Sequence, residues 1–475
     1  MADHPLDAWV EDHRDRIQDE LFAWLRVPSI SAEAERAADV RASAEFAAGL
    51  MSAAGLRHVE ILPTGGGAGL PAVYADWLDA GEDAPTVLVY GHHDVQPVDP
   101  VEDWGSPPFE PVIVDGECRA RGAIDDKGQV LYQIEAARGL LESTGRLPVN
   151  LKILIEGEEE IGSAHFEQLL LDERGRLAAD VIVVSDTGML AEDLPSSTVS
   201  MRGLVGVEVR VRTASIDLHS GMWGGTVPNA ARLVSELAAA LHDQHGRVTI
   251  PGFYDRVAEL SDEERASLSA IPFDEASFRA QAGGVAYLDG EAGRSPLERI
   301  GTRPTAEVVG IHAGYGGTGM KTIVPAEGSL KVALRLVPDQ QPDEIRAAVT
   351  RWVTERLPAG VQVEVLAEGG VAPARTAVDL PAMRALSDTI ESVWGSAPLW
   401  TREGGSGPEE ALGRVLGAPV LFLGVGLPDD RIHAPNERMV MAQFWRGLLA
   451  AGELLERLGR LGRAGVSGAA DPART

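Results

Sequence analysis

The chain has 475 residues, 44% of them hydrophobic, with 42 basic and 72 acidic side chains and a formal net charge of -30. That length exceeds what one core usually fills, so two domains are expected, and the composition is that of a folded chain rather than a disordered one. So acidic a surface repels nucleic acid and anionic lipid, and the single cysteine, Cys118, excludes an intrachain disulfide framework.

Residues 7–27 space Trp9, Ile17, Leu21, Trp24 and Leu25 as one face of a helix that Pro28 should stop. A second helix is expected over 37–54, ending at Gly55. No basic segment followed by an apolar run opens the chain, and no run is long enough to span a bilayer, so a cytoplasmic protein is expected. Four short apolar runs come next, at 86–90, 149–155, 181–184 and 420–423, separated by helical stretches such as 129–142. Near-continuous apolar runs suit strands covered on both faces, and the alternation indicates an α/β domain. The middle differs. Residues 204–212 and 330–336 alternate apolar and polar, with helix-prone sequence after Asn229 and over 253–282. Half-buried antiparallel strands with helices on one side fit this pattern. The expected fold is therefore α/β: a discontinuous first domain (1–199 and 373–475) built on a mixed, mostly parallel sheet flanked by helices, plus an inserted α+β domain (200–372). The tail from Gly465 is rich in small and polar residues and is expected to fray.

The residues at the end of each strand carry the chemistry. The first run leads into Gly91-His92-His93-Asp94, the second into Glu156-Gly157-Glu158-Glu159-Glu160, the third into Ser185-Asp186, and the fourth into a loop holding His433. Asp125-Asp126 stands just before a helix. Sites in open α/β sheets form beyond the carboxyl ends of the strands, so these groups should converge. Taken singly they are commonplace: a His-x-Asp on a surface, a solvated Glu run, an acidic cap. Together, as His, Asp and Glu without cysteine, they suit a catalytic Zn²⁺ or Mn²⁺ site rather than a structural zinc. Cys118, in the polar stretch 115–119, is expected to be a structural thiol, since nothing beside it argues for activation.

These segments resemble the M20 metallopeptidases, and within them the cytosolic nonspecific dipeptidase and carnosine dipeptidase branch. The resemblance rests on Tyr90-Gly91-His92-His93-Asp94-Val95-Gln96-Pro97, Arg121-Gly122-Ala123-Ile124-Asp125-Asp126-Lys127-Gly128, Glu156 to Ser163 and Ser185-Asp186. It continues through Asp217-Leu218-His219-Ser220-Gly221, Lys321 to Pro325, Leu334 to Pro338, Arg402 to Ser406 and His433. The resemblance implies two divalent cations per subunit, Zn²⁺ or Mn²⁺ with Co²⁺ possible. His92 and Asp186 would hold one, Glu160 and His433 the other, and Asp125 would bridge them. Asp94 would orient His92, Glu159 would be the general acid/base, and the Asp125-Asp126 peptide would be cis. Three carboxylates against four cationic charges leave one positive charge, which favours hydroxide over water between the metals.

The implied reaction is cleavage of the peptide bond of dipeptides or short peptides by that hydroxide. The alternative is hydrolysis of an N-acyl amino acid or another small amide by the same centre. His219 would reach the partner's site in a homodimer formed through the inserted lid domain and stabilise the oxyanion. Arg335 would grip the substrate carboxylate, with Thr322, Gly405 and Ser406 as further contacts. The branch usually has a His where Glu368 stands, which bears on side-chain preference. The Gly-rich run 314–319 is read as a substrate loop rather than a phosphate loop, because no P-loop pattern surrounds it.

Overall fold

The computed structural model describes residues 5–405 and 407–466. In chain order, the strands that place the site are β1 (Arg57–Leu62), β2 (Ala72–Trp77), β3 (Thr86–His92), β4 (Asn150–Glu156) and β5 (Val181–Val184). Next come β6 (Gly203–Arg212), β7 (Thr305–Ala313), β8 (Glu327–Leu336), β9 (Gln362–Val371) and β10 (Val420–Phe422). The main helices are α1 (Pro5–Leu25), α2 (Ala37–Ala53), α3 (Lys127–Thr144), α4 (Ala230–Ala240), α5 (Pro342–Arg356), α6 (Pro381–Trp394) and α7 (Met441–Val466).

Two compact units form. The first takes the chain up to Val199, Thr376–Trp400 and the chain from Gly407 onward; the second takes Ser200–Arg375 and Thr401–Ser406. The first unit is built on a six-stranded sheet in the order β1-β2-β4-β3-β5-β10. β3, β4, β5 and β10 run parallel, while β2 is antiparallel to both β1 and β4. Both faces are buried. Val87, Val89, Ile153, Ile155, Val181, Val183 and Leu421 join one large apolar cluster with α1, α3, α6 and α7. The alternate residues Leu88, Tyr90, Leu154, Ile182 and Val184 are equally buried. A strand enclosed on both sides loses its polar alternation, which is why these runs read as continuously apolar.

Local sequence sets the ends. α1 stops at Leu25, two residues short of the expected 27, because Arg26 and Val27 already turn ahead of Pro28. α2 ends at Ala53, and Gly55 takes a left-handed φ of 85°. β3 runs two residues past the expected apolar segment and carries His92 as its last residue.

In the second unit the sheet order is β7-β8-β6-β9, all antiparallel. Val205, Val207, Val209 and Val211 share a core with Leu233, Val234 and Leu237 of α4 and Ile345, Val349 and Trp352 of α5. The period-two pattern thus reports one covered face. Asn229 caps α4, its side chain accepting the Arg232 amide. The helix-prone stretch from 253 resolves into short helices, Asp262–Ala270 and Glu275–Gln281, the first closed by a capping box from Ser261 and Glu264. The expected fraying of the tail falls largely on 467–475, outside the described residues.

Candidate metal centre

Every candidate of the first unit sits at or just beyond the carboxyl end of a parallel strand or in an adjoining loop. His92 ends β3, and its ring is fully buried. Its Nε2 lies 3.0 Å from Asp125 Oδ1 and 3.5 Å from Asp186 Oδ2. The other Asp125 oxygen, Oδ2, lies 2.9 Å from His433 Nε2, which is also 3.1 Å from Glu160 Oε2. Asp125 therefore faces both imidazoles, one oxygen to each. The Asp125–Asp126 peptide is cis.

The Glu158–Glu160 run, which as sequence looks like a solvated face, is splayed by the short turn Glu159–Ile161. Glu158 turns away, accepting the Leu70 amide and pairing with His165 Nδ1 at 2.9 Å. Glu159 falls among His92 and Asp186, and Glu160 among Asp125 and His433; within each trio the donor atoms all lie within 4.8 Å of one another. Asp94, fully buried, ties this turn to β3. Its Oδ1 accepts the Glu159 amide (3.3 Å) and stands 3.4 Å from His92 Nδ1, while Oδ2 accepts the Glu160 amide (3.1 Å).

Close approach makes glycine necessary at one point. A Cβ on Gly91 would fall 2.5 Å from Asp126 Oδ2, the atom that accepts the His92 amide.

The electrostatics are those of crowded acids. Burial, helped by the neighbouring carboxylates, pushes Glu159 up to about 9 and Glu160 up to about 7. Hydrogen bonds to Asp125 and Glu160 raise His433 to about 10. Burial pulls His92 down, yet Asp125, Asp186 and Asp94 together hold it well above its ordinary value. Asp125 is held below the usual carboxylate range: burial opposes this, but His433 and His92 outweigh it. The chain thus offsets excess negative charge with protons. Glu160 Oε1 is buried with no hydrogen-bond partner among the described residues. A compact set of His Nε2 and carboxylate oxygens with an unsatisfied buried acceptor fits divalent cations, which would take the place of those protons.

Two contacts escaped the sequence reading. Gln96 Nε2 donates to Glu160 Oε2 (2.8 Å) and to the Glu160 carbonyl (3.1 Å). Glu437 accepts backbone amides of the Asp125 loop. Cys118 is fully buried, and burial pushes its thiol up to about 12, in keeping with a structural role.

The remaining candidates belong to the second unit. His219 is exposed and caps a short helix; its Nδ1 accepts the Gly221 amide (3.1 Å), which places the proton of the neutral ring on Nε2. Arg335 lies on β8 opposite Leu204, the Thr322 carbonyl accepts the Ser220 amide, and Gly405 follows Gly404, whose carbonyl accepts from Arg202. The backbone of Glu368 pairs with Gly206; its side chain, and Ser406, lie outside the described residues.

Strand-end His and carboxylate groups gathered into two adjoining trios form a candidate divalent-metal centre of hydrolase type. Residues 88–457 match the model of peptidase family M20/M25/M40, and the chain belongs to that family. It is 28% identical to the Cys-Gly metallodipeptidase DUG1 of Candida albicans, over 96% of this chain and 97% of that protein. It is 30% identical to the human Beta-Ala-His dipeptidase, over 80% of this chain and 76% of that one. A crystal structure described as an M20 family metallo-carboxypeptidase from Sulfolobus solfataricus superposes with a TM-score of 0.79 at 31% identity, covering 94% of this chain and 99% of that chain.

Proposed function

We propose that the protein is a di-metal dipeptidase. The observation that carries this reading is the pair of trios, His92–Glu159–Asp186 and Asp125–Glu160–His433, with Asp125 facing both imidazoles. His92 and Asp186 would hold one cation and Glu160 and His433 the other, with Asp125 shared. The donor set suits Zn²⁺ or Mn²⁺, with Co²⁺ as a further option. Bound there, the cations would polarise the scissile carbonyl and acidify water. Glu159, a half-buried member of the first trio assigned to neither cation, takes the proton of the attacking water and hands it to the leaving amine nitrogen, the task of a general base turned acid. Asp186, the other carboxylate of that trio, would be taken up as a ligand, which leaves Glu159 for proton transfer. Asp94 fixes the His92 ring and the backbone of both Glu159 and Glu160. Arg335, with a planar fork matched to a carboxylate, would bind the free C-terminal carboxylate, with Thr322, Gly405 and Ser406 beside it. Glu368, where the resemblance leads one to expect a His, would tune the side chain accepted.

We further read the enzyme as a cytoplasmic homodimer. His219 is exposed, and the same unit leaves the apolar side chains Ile216, Met222, Trp223, Tyr315 and Met320 exposed, as residues that a second copy would cover. His219 would then donate its Nε2–H to the oxyanion in the partner's site. A monomer in sedimentation at micromolar concentration removes this part of the reading. The single, buried cysteine is compatible with a reducing compartment.

A carboxypeptidase acting on longer or N-blocked peptides is the second reading, favoured by the description of the Sulfolobus structure. A metal-loaded panel decides among these: free dipeptides, the same dipeptides with a blocked amine, and N-acetyl amino acids. Turnover of free dipeptides alone is expected. Faster turnover of blocked peptides would support the carboxypeptidase, and faster turnover of N-acetyl amino acids would favour an acylase.

A further inference from the structure

The two histidines of the centre are held in unlike ways. His92 is sealed in the sheet, whereas the His433 side chain is about half exposed and sits on a loop with left-handed φ at Arg431, His433 and Asn436. Packing alone does not fix it. Four residues further on, Glu437 is fully buried. Its Oε1 accepts the amides of Ile124 (3.1 Å) and Asp125 (3.2 Å); its Oε2 accepts the Gly122 amide (3.0 Å) and Arg121 Nη1 (2.7 Å). The Glu437 carbonyl also accepts the Ala120 amide at 3.2 Å. Arg121, itself buried, reaches on to the Pro97 carbonyl (2.9 Å), in the loop after His92. One carboxylate therefore receives four donors from the loop that presents Asp125, from the very segment that presents His433.

We propose that Glu437 is a positioning residue that ties the Asp125 and His433 loops into one cradle and so sets how tightly the Asp125–Glu160–His433 trio takes a divalent cation. Only an acceptor-only group satisfies four converging donors. A glutamine there must turn its NH₂ toward an N–H or toward the guanidinium, and that pair of loops then separates. Outer contacts of this kind are typically worth 10–100-fold in metal affinity. The cation at His92 shares Asp125 but takes His92 and Asp186 from the ends of the sheet's strands, so it depends on this tie less.

The inference rests on the reading of the two trios as metal sites, and the experiment separates the two ideas. Metal-free wild type and Glu437→Gln are titrated with Mn²⁺ alone and followed calorimetrically, with bound metal counted after dialysis. Two equivalents on wild type are expected, with the second weakened about 10–100-fold in the variant and the first weakened less. No binding by wild type would remove the metal reading itself. An unchanged second equivalent, or equal weakening of both, would overturn the role of Glu437 alone. Hydrogen exchange on metal-free wild type needs no variant: the amides of Gly122, Ile124 and Asp125 should be protected before any Mn²⁺ is added. If they exchange freely and gain protection only with metal, the tie is a consequence of binding, and the proposal falls even where the variant does not fold.

Discussion

Asp94→Asn tests the proposed geometry most directly, because it changes no group assigned to metal and nearly no volume. The Asp94 carboxylate serves two backbone donors: Oδ1 accepts the Glu159 amide and Oδ2 the Glu160 amide, while Oδ1 also stands 3.4 Å from His92 Nδ1, whose 3.1 Å hydrogen bond goes to the Asp94 main-chain carbonyl. An asparagine keeps one oxygen. Whichever way the amide turns, its NH₂ confronts a backbone N–H, so at least one hydrogen bond becomes a repulsion in a fully buried place. Leaving a buried donor unsatisfied costs ~1–3 kcal/mol. That cost is relieved by rotating the Glu159–Glu160 turn, which displaces the proton carrier and a ligand together. At ~1.4 kcal/mol per decade, kcat should fall about 10–100-fold at saturating metal and dipeptide, with a smaller change in KM. Steady-state kinetics with metal content measured on the same samples are the assay. A kcat within about twofold of wild type at full metal occupancy would show that the turn is held by something else, and the role given to Asp94 would be wrong.

Chelation should abolish dipeptide hydrolysis and lower Tm, because ligands bound at about 100 times Kd contribute ~2.7 kcal/mol to the folded state; full activity in protein shown to be metal-free would refute the di-metal reading. Reloading at pH 7 should release protons, since His433, raised to about 10, is protonated in the metal-free chain and must lose that proton to bind metal; pH-stat titration with no proton release would contradict this. Cys118, raised to about 12 by burial, should react with a disulfide reagent at pH 8 at least roughly a thousandfold more slowly than in urea. Its folded pKa lies above the unfolded value of 9.0, so its contribution to stability is complete below pH 9 and is lost as pH rises toward 12. The limit of that loss is ~4 kcal/mol, and an identical alkaline Tm profile for Cys118→Ala would refute it.

The parts of this site that were legible in the sequence are those that act through side chains at strand ends. Apolar runs at 86–90 and 181–184 announced buried strands, and the His and Asp just beyond them had to emerge together. The inserted antiparallel sheet was legible for a related reason, since Val205 to Val211 alternate only because a single face is covered. The features the sequence hid work through backbone amides. Glu437 stands in Pro435-Asn436-Glu437-Arg438, indistinguishable from an exposed polar loop, and its four donors come from residues more than three hundred positions away. Gln96 was likewise visible only as part of a resemblance, because its contact is with a glutamate whose direction depends on one short turn. Three adjacent glutamates carry no signal of which will face solvent. The turn Glu159–Ile161 decides that Glu158 meets His165 while its neighbours face the two imidazoles.

The cost of this arrangement points to its use. Asp94, Asp125, Asp126, Asp186, Glu159 and Glu160 are gathered against two imidazoles, and burial of such groups is expensive unless each is compensated. Asp94 is compensated by two amides and a ring, and Asp125 by two imidazoles. Glu160 is compensated only at Oε2, by His433 and Gln96, and burial still drives Glu159 toward 9 and Glu160 toward 7 and leaves Glu160 Oε1 without a partner among the described residues. A structural ion-pair network would place an arginine or lysine there. Yet Lys127, the buried amine two residues past Asp125, donates instead to the Trp24 and Val27 carbonyls, and Arg121 is committed to Glu437 and Pro97. Among the described residues no arginine or lysine is thus paired with either glutamate, and the only cation to meet Glu160 is the His433 imidazole. Divalent ions supply that charge without filling the space that a dipeptide has to enter.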